Sequence, residues 1–461
     1  MTLWASTDIA TATGGAASAA FDVSGVTFDS REVGQGDLFV ALTGETTDGH
    51  KFLDQAFDRG AAGAIVSQDT RHPNVRVPDT FVALEALAKA SRARTSARIV
   101  GITGSAGKTG TKEALFAALD RSPAKSAHRS VKSYNNHTGV PLSLARMPAD
   151  SDYGVFEMGM NHPGELAHLT TLVRPHVAII TAIAPAHAAF FPDESAIADA
   201  KGEIFQGLEP GGVAIIPYDS PHRERLAAAA APHAARTVTF GIDEDADVRA
   251  IEAVKAANGG TFVTARIGER ELSYTVSQPG QHWISNSLAV LAAVDAVGGD
   301  LALAGLALAD LGGLAGRGAR FWVEAGAGES RGRALVIDEA YNANPASMRV
   351  TLAVLGEQTA TRRIAMLGEM RELGEKSDEY HAALAGPVRD AGVQLVILVG
   401  EKMKPLAEAL EGQVEIVHVS DAAAARDRLT ATLEAGDAVL IKGSNGVGLS
   451  AVVAALASGK L

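Results

Sequence analysis

The stretch "RIVGITGSAGKTGTKEALFAAL", Arg98 to Leu119, decides the architecture. An apolar run ends in a Gly/Ser/Lys/Thr loop and then restarts with helical periodicity, the strand–turn–helix arrangement of a phosphate site. Such a turn aims successive backbone N–H groups and the positive end of a helix dipole at an anion. Gly104, Ser105, Ala106, Gly107 and Gly110 supply the backbone, Lys108 a point charge and Thr109 a hydroxyl able to meet Mg2+. The loop is shorter than the usual one, which has a glycine where this chain has Ile102. The plain alternative is an ordinary strand-to-helix turn with a surface lysine.

Outward from this loop the same rhythm repeats. "YGVFEMG", "HVAIITAIAP" and "GGVAIIP" are short apolar runs separated by helical sequence, which predicts a mostly parallel sheet covered on both faces. Residues 237–280 break the rhythm with alternating segments such as "TFVTARIG" and "ELSYTVS", read as an antiparallel annex. The stretch 311–333, dense in Gly and Arg, reads as a hinge. Beyond it "ALVIDEAY", "RRIAMLGEM", "QLVILVG", "VEIVHV" and "DAVLIKGS" predict five strands of a Rossmann-like unit. Before it "GDLFVAL", "HKFLDQAFDRG" and "AAGAIVS" form a smaller α/β unit. A chain of 461 residues suits about three such cores. The expectation is an α/β protein of three domains: residues 1–90 small N-terminal, 91–313 central and built on the phosphate loop, 314–461 C-terminal.

Composition narrows the function. A formal charge of −13 argues against a nucleic-acid-binding surface, which needs a basic excess to displace counterions. The absence of cysteine removes disulfides, thiol catalysis and thiolate metal sites. The N-terminus carries no basic leader with an apolar core, and the apolar runs fall short of the roughly 20 residues of a membrane span. A cytoplasmic protein is expected.

Further residues carry chemistry. Glu157 closes "YGVFEMG" and His187 follows "HVAIITAIAPA", so both belong at the C-terminal edge of the parallel sheet, where such folds bind ligands. One carboxylate and one imidazole suit Mg2+ held mainly by substrate phosphates. Each also reads singly as a solvated strand end or a structural histidine. Lys201, in "IADAKGEIF", reads by itself as the solvated face of an amphipathic helix. Asp338 closes "ALVIDEAY", and the "YNANP" after it, with Asn342 and Asn344, is either a ligand-gripping loop or a turn and helix cap with Pro345 opening the next helix.

Assembled in this order, the residues resemble the Mur ligases, ATP-dependent amide-bond formers of peptidoglycan precursor synthesis, over essentially the whole chain. "TGSAGKT" is that family's short phosphate loop. "NNHTGVPLSL", "FEMGMNHPGEL", "APAHAAFF", "AKGEIF", "DEAYNANPASM", "LGEMRELG" and "LIKGS" look most like the branch that adds D-alanyl-D-alanine. The branch adding the third amino acid would carry an Asp-Asn-Pro-Arg type signature where this chain has "YNANP".

The resemblance implies that Lys108 and Thr109 hold ATP phosphates and Mg2+, with two ions in the site. It implies metal ligation by Glu157 and His187, with Asn136 nearby, and a carbamylated lysine at Lys201. It assigns His282 and Asn286 to the nucleotide, Arg317 to the phosphates from the hinge, and Asp338 to the ribose. "FDSRE" matches the motif gripping uridine diphosphate, which nominates Ser30 and Arg31; Asn342 and Asn344 are expected at the substrates. Lys108, Glu157, His187, Lys201 and Arg317 would be catalytic. Trp283 and Glu369 depart from the family, where relatives often have Asn and Asp. The implied partners are UDP-N-acetylmuramoyl-tripeptide and D-alanyl-D-alanine, acted on by a monomer through an acyl phosphate. A nucleotide-dependent switch is the rival of another class, and the folate-polyglutamate ligases, which lack a UDP-binding domain, are the nearer rival.

Overall fold

The computed structural model describes residues 2–44, 47–185, 190–256, 260–326 and 331–459. Besides a two-stranded pairing of Trp4–Ala5 with Asp22–Val23, the described residues form three larger sheets that follow one another along the chain. The first has five strands in the order Ala16–Ala17, Asn74–Arg76, Gly63–Val66, Asp37–Val40, Gly25–Thr27, parallel except at Ala16–Ala17. The second has nine, and Arg98–Thr103 lies inside it, between Tyr153–Glu157 and Val177–Ile180. The third has six: Ala319–Ala325, Gly332–Glu339, Asp437–Lys442, Arg362–Gly368, Leu395–Val399 and Glu415–Val419 in spatial order.

Arg98–Thr103 is a continuous apolar run because both of its faces are covered. Val100 and Ile102 point into a core with Leu115, Leu288 and Leu291, while Ile99 points into another with Phe156, Leu169 and Phe205. Each such side chain contributes about 1.5–3 kcal/mol on burial. The strand is thereby fixed from both sides, and the loop at its C-terminal end inherits that rigidity. The helix Gln281–Ala296 is buried almost all round and closes the first of these cores against Lys108–Asp120.

Two expectations need correction. The antiparallel annex is neither separate nor as long as the sequence suggests: Arg236–Gly241 extends the parallel sheet beside Val213–Pro217, and only Val248–Lys255, Thr261–Ile267 and Arg270–Val276 pair antiparallel with one another, in the same sheet. The Gly/Arg-rich stretch is not all hinge either. Ala319–Ala325 pairs antiparallel with Gly332–Glu339 as the edge strand of the third sheet. The pairing places Val323 and Ala325 in the core and leaves Trp322 exposed beside Arg333. Its alternation was hidden by the flanking glycines.

Candidate active site

The phosphate loop takes the conformation that its glycines permit. Gly104 has φ +150°, and a β-carbon there would strike the Thr181 hydroxyl; Gly107 has φ +82° and opens the helix Lys108–Asp120. Lys108 curls back so that its Nζ donates to the carbonyl oxygen of Gly104 at 2.7 Å. Burial lowers its pKa, with Arg317 acting in the same direction and Glu157 opposing. The loop is held from outside by the Thr181 hydroxyl, which donates to the Thr103 carbonyl at 3.2 Å, and by Ser105 Oγ, which accepts from Ala184 N–H at 3.1 Å.

Glu157 is wholly buried at the end of its strand. Its Oε2 accepts from Thr109 Oγ1 at 2.8 Å, its Oε1 from Asn135 Nδ2 at 2.7 Å, and Lys112 Nζ lies 3.8 Å away. Lys201, expected on a solvated face, is 1% exposed. Burial, and secondarily the charge of Lys108, pulls its pKa well below the ordinary lysine value. Among the described residues its ammonium has no hydrogen-bonded or ion-paired acceptor.

The third domain reaches this edge. Arg317 Nη2 donates to Ser133 Oγ at 3.0 Å, while its guanidinium lies over Tyr341, 4.3 Å from the ring centre. Asp338 accepts from the backbone N–H of Gly316 at 2.6 Å and of Ala340 at 3.1 Å, so the acid and the arginine are set by one turn. Asn344 caps the helix Pro345–Gly356 and also sends its Nδ2 to the Ser105 carbonyl, 3.3 Å away. Cap and site residue are here the same side chain. The arrangement offers a phosphate cradle, a buried carboxylate with a hydroxyl beside it, and a guanidinium entering from another domain, the parts of a phosphoryl-transfer site.

Family models match in chain order: "Mur ligase family, catalytic domain" over residues 22–102, "Mur ligase middle domain" over 102–294, and "Mur ligase, glutamate ligase domain" over 326–445. A UDP-N-acetylmuramoyl-tripeptide--D-alanyl-D-alanine ligase of Rickettsia prowazekii is 32% identical over 98% of this chain and 99% of its own. The chain belongs to the Mur ligase family. A ligase of the same name from Escherichia coli is 34% identical over 94% of this chain and 93% of its own. Among solved structures, MurF from Acinetobacter baumannii superimposes with a TM-score of 0.83 at 29% identity, covering 99% of both chains. MurF from Thermotoga maritima in complex with ADP gives 0.76 at 26% identity, covering 94% of this chain and 97% of that one.

As a Mur ligase, the chain gathers most but not all of the nominated residues. Asn286 lies against Gly107, where a β-carbon would meet its Oδ1 at 2.8 Å, and Trp283 packs against Gly110 in the same way. His282 is held neutral, its pKa brought down to about 4 by burial and by Lys442, and its Nδ1 is buried without a partner. Asn136 is exposed, and its Oδ1 accepts from Gly139 N–H at 2.9 Å at the start of the helix Gly139–Ala145. Its neighbour Asn135 is the residue on Glu157. Asn342 is exposed, and among the described residues its side chain accepts from the adjacent Ala343 N–H alone. Ser30 is buried against Gln55, and Arg31 extends from the surface in a two-point pair with Asp29. His187 lies outside the described residues. Sequence reasoning passed over Lys112, Ser133, Asn135 and Lys442; "NN" and "LIKGS" were marked as blocks, but nothing in them says which side chain turns inward.

Proposed function

We infer that this chain is an ATP-dependent ligase that joins D-alanyl-D-alanine to the terminal carboxylate of UDP-N-acetylmuramoyl-tripeptide, a step of peptidoglycan precursor synthesis. The observation that carries the inference is the match, over nearly the whole of both chains, to ligases of that single name. The fold and the cross-domain contacts of Arg317 and Asn344 agree with it. Residues 1–90 are read as the UDP-substrate domain, 91–313 as the ATP-binding domain, and 314–461 as the ligase domain. No described helix is long and apolar enough to cross a membrane. A cytoplasmic monomer remains the reading that the resemblance implies.

The chemistry follows from the problem. A carboxylate is a poor acyl donor, so its oxygen attacks the γ-phosphorus of ATP, ADP leaves, and an acyl phosphate forms. The neutral amine of D-alanyl-D-alanine then attacks the acyl carbon, phosphate departs, and an amide remains. Bringing a carboxylate to a triphosphate costs about 4 kcal/mol per pair of charges at 4 Å and an effective dielectric near 20. Lys108 and Arg317 offset that charge, Ser30 and Arg31 hold the uridine diphosphate end, and Asn342 and Asn344 bind the substrates. Asp338 takes the ribose, with Asn286 and the neutral His282 near the base.

Thr109 and Glu157 suit Mg2+. They offer hard oxygens, and the Glu157 carboxylate is met by a hydroxyl, an amide and a lysine at 3.8 Å. Among the described residues no group of three His, Asp or Glu could hold an ion alone; ATP phosphates would supply further oxygens, and the resemblance adds His187 and a carbamate on Lys201 as ligands. When bound, the ions neutralise charge on the transferring phosphoryl group. The unprotonated amine is the form that reacts with carbon dioxide, and a buried lysine whose pKa is lowered and which has no acceptor among the described residues favours carbamylation of Lys201. Incubation with ATP, Mg2+, UDP-N-acetylmuramoyl-tripeptide and D-alanyl-D-alanine should yield the UDP-pentapeptide with equimolar phosphate. Nucleotide consumption without pentapeptide would overturn the reading.

A further inference from the structure

Between the strand Ala127–Arg129 and the helix Gly139–Ala145 lies a segment whose consecutive side chains meet three domains. Ser130 Oγ accepts from the Glu157 backbone N–H at 3.1 Å. Lys132 pairs through its ammonium with Glu32, which directly follows the Ser30 and Arg31 nominated for the nucleotide sugar. Tyr134 Oη stands 3.3 Å from both oxygens of the same Glu32 and tilts against Phe28. Ser133 accepts from Arg317 of the third domain and lies 3.5 Å from Thr109 Oγ1. Asn135 donates to Glu157.

The backbone of Lys132 adds a second line of contact. Its φ of 54° is left-handed, which a residue with a β-carbon adopts at a cost of about 1–2 kcal/mol. In that conformation its carbonyl oxygen accepts from Lys112 Nζ, a side chain with no exposure that also lies 3.0 Å from Glu113 and 3.8 Å from Glu157. One residue thus grips the first domain with its ammonium and orients, with its carbonyl, the cation facing the buried carboxylate. Exposed ion pairs such as Lys132–Glu32, with side chains 57% and 28% accessible, contribute under about 1 kcal/mol to stability. The strain at Lys132 is therefore not explained by the stability that its pair supplies.

We propose that Lys132, with Ser133, is a positioning element that couples occupancy of the nucleotide-sugar site in the first domain to nucleotide affinity at the phosphate loop. The proposal rests on the placement of UDP-N-acetylmuramoyl-tripeptide at Ser30 and Arg31. When the sugar nucleotide draws Glu32 and its loop inward, Lys132 follows, and the Lys112 ammonium and Ser133 hydroxyl are set for the bound triphosphate.

The test is a linkage measurement on the full chain, using a non-hydrolysable ATP analogue with Mg2+, titrated calorimetrically with and without saturating UDP-N-acetylmuramoyl-tripeptide. The unaltered chain should bind the analogue at least about fivefold tighter with the sugar nucleotide present, the low end of usual couplings. Glu32→Gln and Lys132→Gly should bring the ratio near one; glycine keeps the left-handed backbone and the carbonyl while removing the ammonium. Lys132→Arg should retain the coupling, and the exchange Glu32→Lys with Lys132→Glu should restore part of it, which loss of folding would not do. A ratio near one in the unaltered chain, with both ligands binding, overturns the proposal and leaves the ligase assignment standing. Full coupling retained in Lys132→Gly also overturns it. No binding of the sugar nucleotide at all would remove the assignment and the proposal together.

Discussion

The surroundings of Lys201 and of Lys442 differ although both side chains are buried. Lys442, at the end of the strand Asp437–Lys442, donates to the Asn342 carbonyl at 2.8 Å and faces Glu339 at 3.6 Å. Lys201 has no acceptor among the described residues, and the charge that acts on it is that of another lysine, Lys108. A buried ammonium is stable only with partners, because desolvation costs several kcal/mol. Burial lowers the pKa of both, but Glu339 opposes that shift at Lys442, which ties a loop to a sheet, whereas Lys108 adds to it at Lys201.

The most severe break of that comparison is Lys108→Ala. It removes the loop's point charge and the cation opposing Lys201, and kcat should fall by roughly 10³-fold, the scale of losing a charge-stabilising group; phosphate release dependent on both substrates measures it. Lys201→Met should cost about 10²-fold or more in kcat on the same scale, yet raise the melting temperature in carbon-dioxide-free buffer. The sign follows from linkage. The native pKa of Lys201 lies below its unfolded value of about 10.4, so between the two the unfolded chain binds the extra proton, and stability rises with pH through that window. The variant lacks this slope, and its thermal advantage should shrink as pH approaches about 10. A flat difference between pH 7 and 10 would show that the buried Lys201 ammonium keeps an ordinary lysine pKa and would remove the argument.

Lys442→Met should act in the opposite sense. It leaves Glu339, whose pKa burial already raises, without its cation, and should destabilise the protein by about 3 kcal/mol in denaturant unfolding. A stabilised variant would remove the distinction. The smallest effects separate neighbours: Asn135→Ala should lower activity roughly tenfold, the worth of a charged hydrogen bond of about 1.5 kcal/mol, whereas Asn136→Ala should cost about 1 kcal/mol of stability as a lost hydrogen bond at a helix start and leave turnover unchanged.

Most strands were legible because buried parallel strands are uninterrupted apolar runs, and the loop at Gly104–Thr109 announced its ligand through glycines that no other role demands. Legibility ended where tertiary contact decides. "IADAKGEIF" and "GTKEALF" contain lysines that a helical wheel assigns to solvent, yet the strands beneath them bury Lys201 and Lys112. In "NN" two identical side chains differ only in backbone direction. The edge strand Ala319–Ala325 was invisible because its partner comes later in the chain and its flanks look like linker. Asn344 showed that two local readings, cap and ligand loop, need not compete.

That edge strand has a mechanical consequence. Since it absorbs much of the apparent linker, the third domain hangs from residues 310–318, within which Gly316 and Gly318 adopt positive φ on either side of Arg317. A tether so short permits swinging about an axis but little wandering, so the domain finds its partner as a door finds its frame. The arginine rides on the pivot itself, stacked on Tyr341, whose N–H donates to the Gly316 carbonyl at 3.2 Å, so the asparagine loop that follows is anchored beside the hinge and its sweep is short.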